Sequence, residues 1–498
     1  MSRAAVPPHA SSPGTPGSPG SPGSPGSPGS PGNPGGPGGP GSRGRTPAPR
    51  DGAQGGAHDR AHDGSPDKLR VALGSAVGTT VENYDFLAYG TAAALYFGDV
   101  FFPDSSSFVA TLASFATLAV GFAMRPIGGI IGGHLGDRIG RKPVLVAALI
   151  VMGLATTAIG FLPTYDQVGA LAPVLLVLMR LIQGIGFGAE WGGAILMTYE
   201  HAPLRRKGLY SAIPQAGVPL GLLLANVAFL VAAQFDSHLA WRIPFILSAL
   251  LIGVGMIIRL KISESPEFEE LQRSGEVAKS PVLEVLRTER TTVLRVIGLR
   301  LAETGGFYVI VTYLLSYLKT EDIVSRSVAL TGLIVAALLG TGTTLLYGRL
   351  SDRFGRRTVY LVGSTLTLLF GFPMFLLVNT GSSVAVVAAF ILGLALCHDS
   401  LAGTQGAWFS ELFDARVRTS GASLGYQLSA SVSGFIPFIA AALAGAWGWS
   451  GVALLFSVCG AIGLVTALLT RETRPVTALV EPAQERERSR PASAAPSV

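Results

Sequence analysis

Twelve apolar runs divide the chain between about Leu69 and Arg471, and they constrain its fold more than any other feature. Each run has about 18–28 residues, which is enough for an α-helix to cross a hydrocarbon layer about 30 Å thick. Lipid offers the backbone no hydrogen-bond partner, so each crossing must be helical, and the runs lack the alternation of barrel strands. The runs begin near Leu69, Phe108, Pro143, Ala172, Leu209, Trp241, Val293, Val328, Val359, Val384, Gly421 and Gly451.

The composition argues against a soluble protein. Charged residues make up 14% of the 498 residues and hydrophobic residues 49%, before the 64 glycines are counted. In a soluble domain about 25% of the residues are charged. The polar surface is too small to cover this much apolar matter in water. We therefore expect an all-α membrane protein with twelve transmembrane helices.

The cations and cysteines argue against other classes of protein. The net charge is +6, but the cations lie between apolar runs rather than on one soluble face, so we expect no nucleic-acid partner. Cys397 and Cys459 both lie in apolar runs and cannot form a metal cluster or a disulfide framework. We expect no metal and no cofactor.

The loops predict the orientation of the chain in the membrane. Nineteen Lys and Arg residues lie in the loops after the second, fourth, sixth, eighth and tenth runs, and three lie in the opposite loops, at Arg242, Lys319 and Arg326. Positively charged loops stay in the cytoplasm. We expect a multi-pass protein of the plasma or inner membrane with both termini cytoplasmic.

Composition also divides the chain into segments. Residues 12–41 are ten X-Pro-Gly triplets, and a segment so rich in Pro and Gly cannot pack a core. The predicted segments are a disordered cytoplasmic tail at 1–66, an N-terminal six-helix bundle at 67–258, a cytoplasmic central loop at 259–290, a C-terminal six-helix bundle at 291–472 and a disordered tail at 473–498.

A ten-residue motif occurs once in each half of the chain. The sequence Gly-His-Leu-Gly-Asp-Arg-Ile-Gly-Arg-Lys at 133–142 returns at 348–357, 215 residues later, as Gly-Arg-Leu-Ser-Asp-Arg-Phe-Gly-Arg-Arg. A Glu and an Arg that follow the fourth run return 211 residues later, after the tenth. The chain is thus predicted to be two similar six-helix halves in the same orientation. This arrangement is typical of transporters, in which the halves rock about a site between them.

The repeated turns place carboxylates among cations, where they can form charge-assisted hydrogen bonds. We expect these groups to form a latch that holds the halves together in one state, although they could simply fix the topology. The predicted latch residues are Asp137, Arg138, Arg141, Lys142, Glu200, Arg205, Asp352, Arg353, Arg356, Glu411 and Arg416.

The repeated turn resembles the signature of the major facilitator superfamily. Further stretches are similar to those of its metabolite:proton symporter family: 78–86, 125–137, 190–203, 264–266 and 411–427. The resemblance implies the major facilitator fold, with two pseudo-symmetric six-helix bundles, and uptake of shikimate, α-ketoglutarate, citrate, proline or betaine together with protons. The proline/betaine members carry a long C-terminal coiled coil, which this chain lacks, so osmosensing is not expected.

Ionisable side chains inside the apolar runs are costly and usually functional. Glu82, Asp85 and Tyr89 share one face of the first helix, and burial favours the neutral form of a carboxyl group, which suits a proton carrier. Alternatively, these carboxylates pair with Arg125 or Arg180 or are simply wetted by the cavity. The predicted proton-coupling residues are Glu82, Asp85, Arg180 and Asp399.

Other polar groups in the runs are candidates for substrate binding. An Arg keeps its charge and can hold an anion with two hydrogen bonds, and Arg300 and Glu303 can neutralise each other at i, i+3. His398 adjoins Asp399, but neighbours on a helix do not face each other, so we expect His398 to be a packing residue. The predicted substrate-binding residues are Arg125, Tyr89, Gln183, Glu303, Tyr308, Gln405, Tyr426 and Gln427.

These observations favour a monomeric proton-driven importer of a small hydrophilic metabolite, such as shikimate or a dicarboxylate, rather than an enzyme. Residues 217–221 partly resemble an antiporter motif and 264–266 also suit a sugar facilitator, so a proton-coupled antiporter and a facilitator remain alternatives. A nutrient sensor without flux would need a signalling domain, and the chain shows no sizeable one. No nucleophile or phosphate-binding motif of an enzyme is present.

Overall fold

Helices occupy all twelve predicted places in the computed structural model, which describes residues 66–139, 141–190, 194–235, 240–261, 281–414 and 417–474. The helices begin within three residues of the predicted starts. The N-terminal tail predicted at 1–66 lies outside the described residues except for Pro66, which begins the first helix. Much of the loop at 259–290 and of the tail at 473–498 also lies outside them.

The helices are numbered α1 to α12 in chain order. In the N-terminal half they are α1 Pro66–Leu95, α2 Ser107–Ala123 with Arg125–Ile139, α3 Arg141–Ile159, α4 Leu171–Glu190, α5 Lys207–Gln215 with Gly217–Ala232, and α6 Ile243–Lys261. In the C-terminal half they are α7 Arg290–Tyr308 with Leu314–Thr320, α8 Arg326–Phe354, α9 Arg356–Val378, α10 Ser383–Leu392 with Asp399–Leu412, α11 Arg418–Ser433 with Ile436–Trp447, and α12 Trp449–Leu468. Short helices lie at Phe97–Phe101, Tyr165–Val168, Ala194–His201, Leu204–Arg206 and Pro281–Thr288.

By length and composition, nine helical segments of the described residues can cross a membrane. Two shorter apolar helices, Pro143–Ile159 and Ile243–Ile257, lie at the third and sixth predicted places. Large apolar side chains are exposed along the helices, such as Ile130, Leu250 and Leu369, each about two-thirds exposed. An apolar outer surface of this kind marks a protein whose surroundings are lipid.

Proline residues interrupt several helices. α2 breaks at Met124, two residues before Pro126, and α11 breaks just before Pro437. α5 breaks at Ala216, three residues before Pro219. Each proline removes a backbone donor and crowds the preceding turn.

Glycines allow α2 and α4 to pack with their backbones in contact. A Cβ atom at Gly128, Gly184 or Gly188 would overlap a backbone oxygen of the facing helix. A Cβ atom at Gly121 would lie 2.5 Å from the guanidinium of Arg180. This close approach of small residues is typical of helix packing in membranes, and it places Arg180 deep in the N-terminal half.

The two halves contact each other at both ends of the molecule. We call the end with the turn at 355 the basic-loop end. There α5 packs against α8 and α10, and α2 packs against α11. At the opposite end Lys319 of α7 bonds Asp99 of the N-terminal half at 2.8 Å. The candidate site lies between these two contacts.

Candidate functional site

Asp85 lies in the interior of the N-terminal half and begins a chain of hydrogen bonds. Its Oδ1 accepts from Ser248 of α6 at 2.5 Å and its Oδ2 from Thr156 of α3 at 3.0 Å. Gln183 of α4 donates to the Thr156 hydroxyl at 2.7 Å, and Arg180 donates to Gln183. Arg180 is thus linked to Asp85 through two side chains rather than by a direct ion pair.

The hydroxyl of Thr156 has a second acceptor, the backbone oxygen of Met152 at 2.9 Å. A hydroxyl has one proton to donate and two lone pairs. It can therefore donate to an ionised Asp85, or turn to Met152 and accept from a protonated Asp85. The same geometry accommodates both protonation states of the carboxyl group.

Aromatic rings surround the charge of Arg180. Its guanidinium carbon lies 3.9 Å from the ring centroid of Tyr89 and 4.7 Å from that of Phe86. The Tyr89 hydroxyl shares a 2.6 Å hydrogen bond with Thr117 of α2. Glu82, one turn before Phe86 on α1, is also buried. The structure therefore places Glu82, Asp85, Tyr89, Arg180 and Gln183 together in one buried region.

Arg125 joins the two halves through a side-chain hydrogen bond. Its Nε donates to Gln427 of α11 at 3.2 Å, and Gln427 donates to the backbone oxygen of Gly188 at 3.1 Å. The guanidinium carbon lies 4.0 Å from the ring centroid of Phe187. Its Nη2 is buried and has no hydrogen-bond partner. Tyr308 of the C-terminal half lies close enough to Arg125 to interact electrostatically.

A second network of polar groups lies in the C-terminal half. Arg300 pairs with Glu303 at 3.3 Å, as their spacing predicts. Gln405 of α10 accepts from Arg300 at 3.1 Å and donates to Glu303 at 3.3 Å. The guanidinium carbon of Arg300 lies 3.2 Å from the ring centroid of Tyr426. Three predicted site residues, Glu303, Gln405 and Tyr426, thus contact Arg300. A fourth, Asp399, is linked to Glu303 through His398.

His398 lies between two carboxyl groups. Its Nε2 is 3.1 Å from Glu303 Oε1 and its Nδ1 is 2.8 Å from Asp399 Oδ1. Asp399 also accepts from Thr343 of α8. Our expectation that His398 and Asp399 would face apart is wrong, because a π-helical turn at Gly393–His398 immediately precedes Asp399. Such turns change the direction of side chains and are frequent at functional sites.

A small cavity adjoins this network. It measures about 20 Å³ and is lined by Gln405 and Tyr426 at one side and by Ile195 and Leu196 at another. Gln215 of α5 also lines it, so both halves contribute. This volume holds about one water molecule, and a metabolite can enter only when the halves move apart.

The second copy of the repeated motif connects the halves at the basic-loop end. The carboxylate of Asp352 accepts from the backbone N–H groups of Gly208 at 2.8 Å and Leu209 at 2.9 Å, at the start of α5. A carboxylate stabilises the N-terminus of a helix, where unpaired N–H groups concentrate positive charge. Arg356 bonds the same carboxylate at 2.8 Å and Glu411 at 3.3 Å.

Some of the other predicted latch residues lie around this contact, and the rest lie outside the described residues or side chains. Arg353 stacks on Phe354, with 5.3 Å between guanidinium carbon and ring centroid, and Glu200 and Arg205 are exposed at the same end. Glu472, after α12, accepts from the backbone N–H of Arg356 at 2.9 Å. Outside the described residues or side chains are Asp137, Arg138, Arg141, Lys142 and Arg416.

Four partners of the charged groups were missed by sequence reasoning: Thr156, Ser248, Thr343 and His398. Three of them are ordinary hydroxyl residues in apolar runs, and nothing in the sequence distinguishes them from hydroxyls bonded to their own helix. His398 carried a signal, an imidazole beside a carboxylate in mid-span. Regular helix geometry predicts that the two neighbouring side chains point apart, and the structure brings them into contact.

Comparisons with known proteins agree with this fold. The family model described as Major Facilitator Superfamily matches residues 76–436 and 344–496. The chain is 41% identical over 416 residues to a shikimate transporter of Escherichia coli strain K12, covering 81% of this chain and 95% of the relative. A proline/betaine transporter of the same strain is 31% identical, with 82% and 84% covered.

Solved structures show the same architecture. The xylose transporter XylE from Escherichia coli, in a partially occluded inward open conformation, matches with a TM-score of 0.62 and 19% identity. The match covers 82% of this chain and 99% of that one. At this identity the likeness shows the fold alone.

Proposed function

This chain belongs to the Major Facilitator Superfamily, and from that premise we propose that it is a proton-coupled symporter that takes up a small hydrophilic carboxylate by alternating access. Its family consists of transporters rather than enzymes, and its relatives include shikimate and metabolite transport proteins. Its helices and relatives make it a multi-pass membrane protein.

The surroundings of Asp85 carry the proposal of proton coupling. The carboxyl group is fully buried, and the hydroxyl that contacts it has an alternative acceptor in Met152. A carrier must hold and release a proton at the same place, and this arrangement permits both states without a rearrangement of the backbone. Glu82, Arg180 and Asp399 complete the proposed coupling set.

Arg125 supports a carboxylate as the substrate. Its buried Nη2 has no hydrogen-bond partner, and a buried unsatisfied donor is costly. A carboxylate between the halves would satisfy it with a charge-assisted bond. The facing half can offer hydrogen bonds to the polar remainder of the substrate through hydroxyl and amide groups, those of Tyr308, Gln405, Tyr426 and Gln427. Shikimate, the substrate in the name of one relative, has this chemistry.

We place the basic-loop end in the cytoplasm and assign the two six-helix halves to residues 67–258 and 291–472. We propose that the protein is a monomer. The bond between Asp352 and α5 then closes the cytoplasmic entrance. Opening this entrance requires the Asp352 contact to break while the opposite end stays closed by the bond between Asp99 and Lys319.

Purified protein in proteoliposomes tests the proposal. Radiolabelled shikimate is supplied outside, first without and then with a pH gradient, acid outside. We expect the gradient to drive accumulation, up to about tenfold per proton and pH unit, and a protonophore to abolish it. Other small carboxylates, proline and betaine are compared in the same vesicles.

Three outcomes contradict the proposal. Equilibration that is indifferent to the gradient indicates a facilitator, and outward, gradient-driven flux of apolar drugs indicates an antiporter. Binding of one of these compounds without flux of any of them indicates a sensor.

A further inference from the structure

His398 contacts a carboxyl group through each of its ring nitrogens. Glu303 Oε1 lies 3.1 Å from Nε2 and Asp399 Oδ1 lies 2.8 Å from Nδ1. All three side chains are at least nine-tenths buried. The ring of Phe307 packs against the imidazole at a tilt of 36°, with 4.6 Å between the ring centroids, which restricts rotation of the imidazole.

The two contacts require two protons. Each hydrogen bond between a ring nitrogen and a carboxyl oxygen needs one hydrogen, on the nitrogen or on the oxygen. A neutral imidazole supplies one, because one of its nitrogens is then a lone pair. The group of three therefore holds one proton more than a neutral histidine and two carboxylates.

The neighbouring charges balance when that proton is present. Arg300, 3.3 Å from Glu303, and a protonated His398 offset Glu303 and Asp399. Loss of the proton leaves one buried negative charge, which is unfavourable in a low-dielectric interior. Among the described residues, the titratable and charged groups that face the three side chains are Arg300 on α7, Tyr347 on α8, Tyr360 on α9 and Cys397 in the π-helical turn of α10.

The group of three extends from the side of the cavity to a second place where the halves meet, between α5 and α8. Glu303 contacts Gln405, which lines the cavity. Asp399 faces α8 and α5, since a Cβ atom at Gly340 would lie 3.2 Å from Asp399 Oδ2 and 3.3 Å from Pro219 Cβ. These two helices belong to different halves and must separate when the molecule opens.

We propose that His398 carries the transported proton in the C-terminal half and passes it between Glu303 and Asp399; this inference rests on the proposed symport. Arg125, which holds the substrate carboxylate in the proposed function, lies close enough to Arg300 to interact with it electrostatically. A carboxylate held between the two guanidinium groups draws Arg300 away from Glu303 and leaves Glu303 without its cation. The Nε2–H bond of His398 then breaks and an O–H bond forms at Glu303 Oε1. From there the proton leaves through the water-sized cavity when the halves part.

The variant His398→Gln tests this role. Glutamine keeps an amide donor and a carbonyl acceptor but does not titrate. The matched control is His62→Gln, in the Pro/Gly-rich segment before α1. We measure shikimate accumulation under a pH gradient and shikimate counterflow at equal pH in the same proteoliposomes.

We expect His398→Gln to accumulate no more shikimate than wild type does without a gradient, a loss of about tenfold per pH unit, while counterflow continues. His62→Gln should match wild type in both assays. Gradient-driven accumulation by His398→Gln at the wild-type level overturns the inference and leaves the symport intact. If wild type itself ignores the gradient, the proposed function fails and the inference fails with it.

A second measurement does not depend on the variant's folding. ¹⁵N NMR of wild type labelled at histidine reports the protonation of each ring nitrogen, and His398 lies in the membrane-spanning region. We expect one histidine with two protonated nitrogens at neutral pH that loses a proton when shikimate is added. A spectrum in which every ring stays unchanged on adding shikimate contradicts the proposal, whether or not His398→Gln folds.

Discussion

Asp85 and Asp399 are both buried carboxyl groups, yet their partners differ in kind. Asp85 accepts from two hydroxyl groups, those of Thr156 and Ser248. Asp399 contacts an imidazole, that of His398. A hydroxyl can only reorient when the carboxyl takes up a proton, whereas an imidazole can exchange the proton itself. At the scale of single residues, the two buried carboxyl groups thus differ in the hydrogen-bond partners that surround them.

Asp85→Asn removes the titrating group and keeps its shape. We expect accumulation under a pH gradient to fall to the level without a gradient, about tenfold for one pH unit, because an amide cannot release a proton. Exchange of labelled for unlabelled shikimate should persist. Asp104→Asn, in an exposed turn, is the control, and full accumulation by Asp85→Asn would refute the assignment.

Arg125→Lys tests the substrate-facing role of the guanidinium. Lysine keeps the charge but loses the planar fork that can serve Gln427 and a carboxylate at once. The lost charge-assisted bond is worth about 1.5–3 kcal/mol, so we expect KM for shikimate to rise about 10- to 100-fold. Transport kinetics in proteoliposomes measure it, and an unchanged KM would remove Arg125 from the binding site.

Residue spacing predicted some of these contacts and missed others. The pair of Arg300 and Glu303 follows from i, i+3 spacing on one regular helix. The contact of His398 with Asp399 does not, because it depends on a π-helical turn. Spacing rules hold only where the helix is regular, and the sequence contains no marker of this turn.

At the scale of helices, glycines decide how near the charged groups come. Gly184 and Gly188 of α4 face backbone oxygens of α2, and the same two helices carry Arg180 and Arg125. Apolar length predicted all twelve helices, since only a helix satisfies the backbone in lipid. The pairing of α2 with α4 was not predicted, because glycine is frequent throughout the runs.

Gly188→Ala tests the packing of α4 on α2. The added methyl group would overlap the backbone oxygen of Arg125, and such overpacking costs about 1–3 kcal/mol. We expect a lower Tm in detergent and a higher KM, because Arg125 must shift. Gly253→Ala on α6, where nothing lies within 4 Å of the new atom, is the matched control and should leave Tm unchanged or slightly raised. Equal Tm values for the two variants would contradict this account of the packing.

For the whole molecule, the contacts at the two ends differ in strength. At the basic-loop end Asp352 bonds two backbone N–H groups of α5 and the buried Arg356. At the opposite end the bond between Asp99 and Lys319 is largely exposed to solvent. Exposed ion pairs contribute about 0–1 kcal/mol, and hydrogen bonds to a charged group about 1.5–3 kcal/mol. The molecule should therefore favour closure at the basic-loop end.

Asp352→Asn tests this asymmetry through the population of the two states. The substitution removes the negative charge at the start of α5, and a change of about 1.5–3 kcal/mol shifts an equilibrium about 10- to 100-fold. A cysteine placed at Ala212, which faces Gly348 across the halves, reports opening by its rate of reaction with a water-soluble maleimide. We expect that rate to rise at least several-fold in Asp352→Asn and to change less than about fivefold in Asp99→Asn. Equal rates in the two variants would mean that the halves are held by their apolar contacts rather than by this carboxylate.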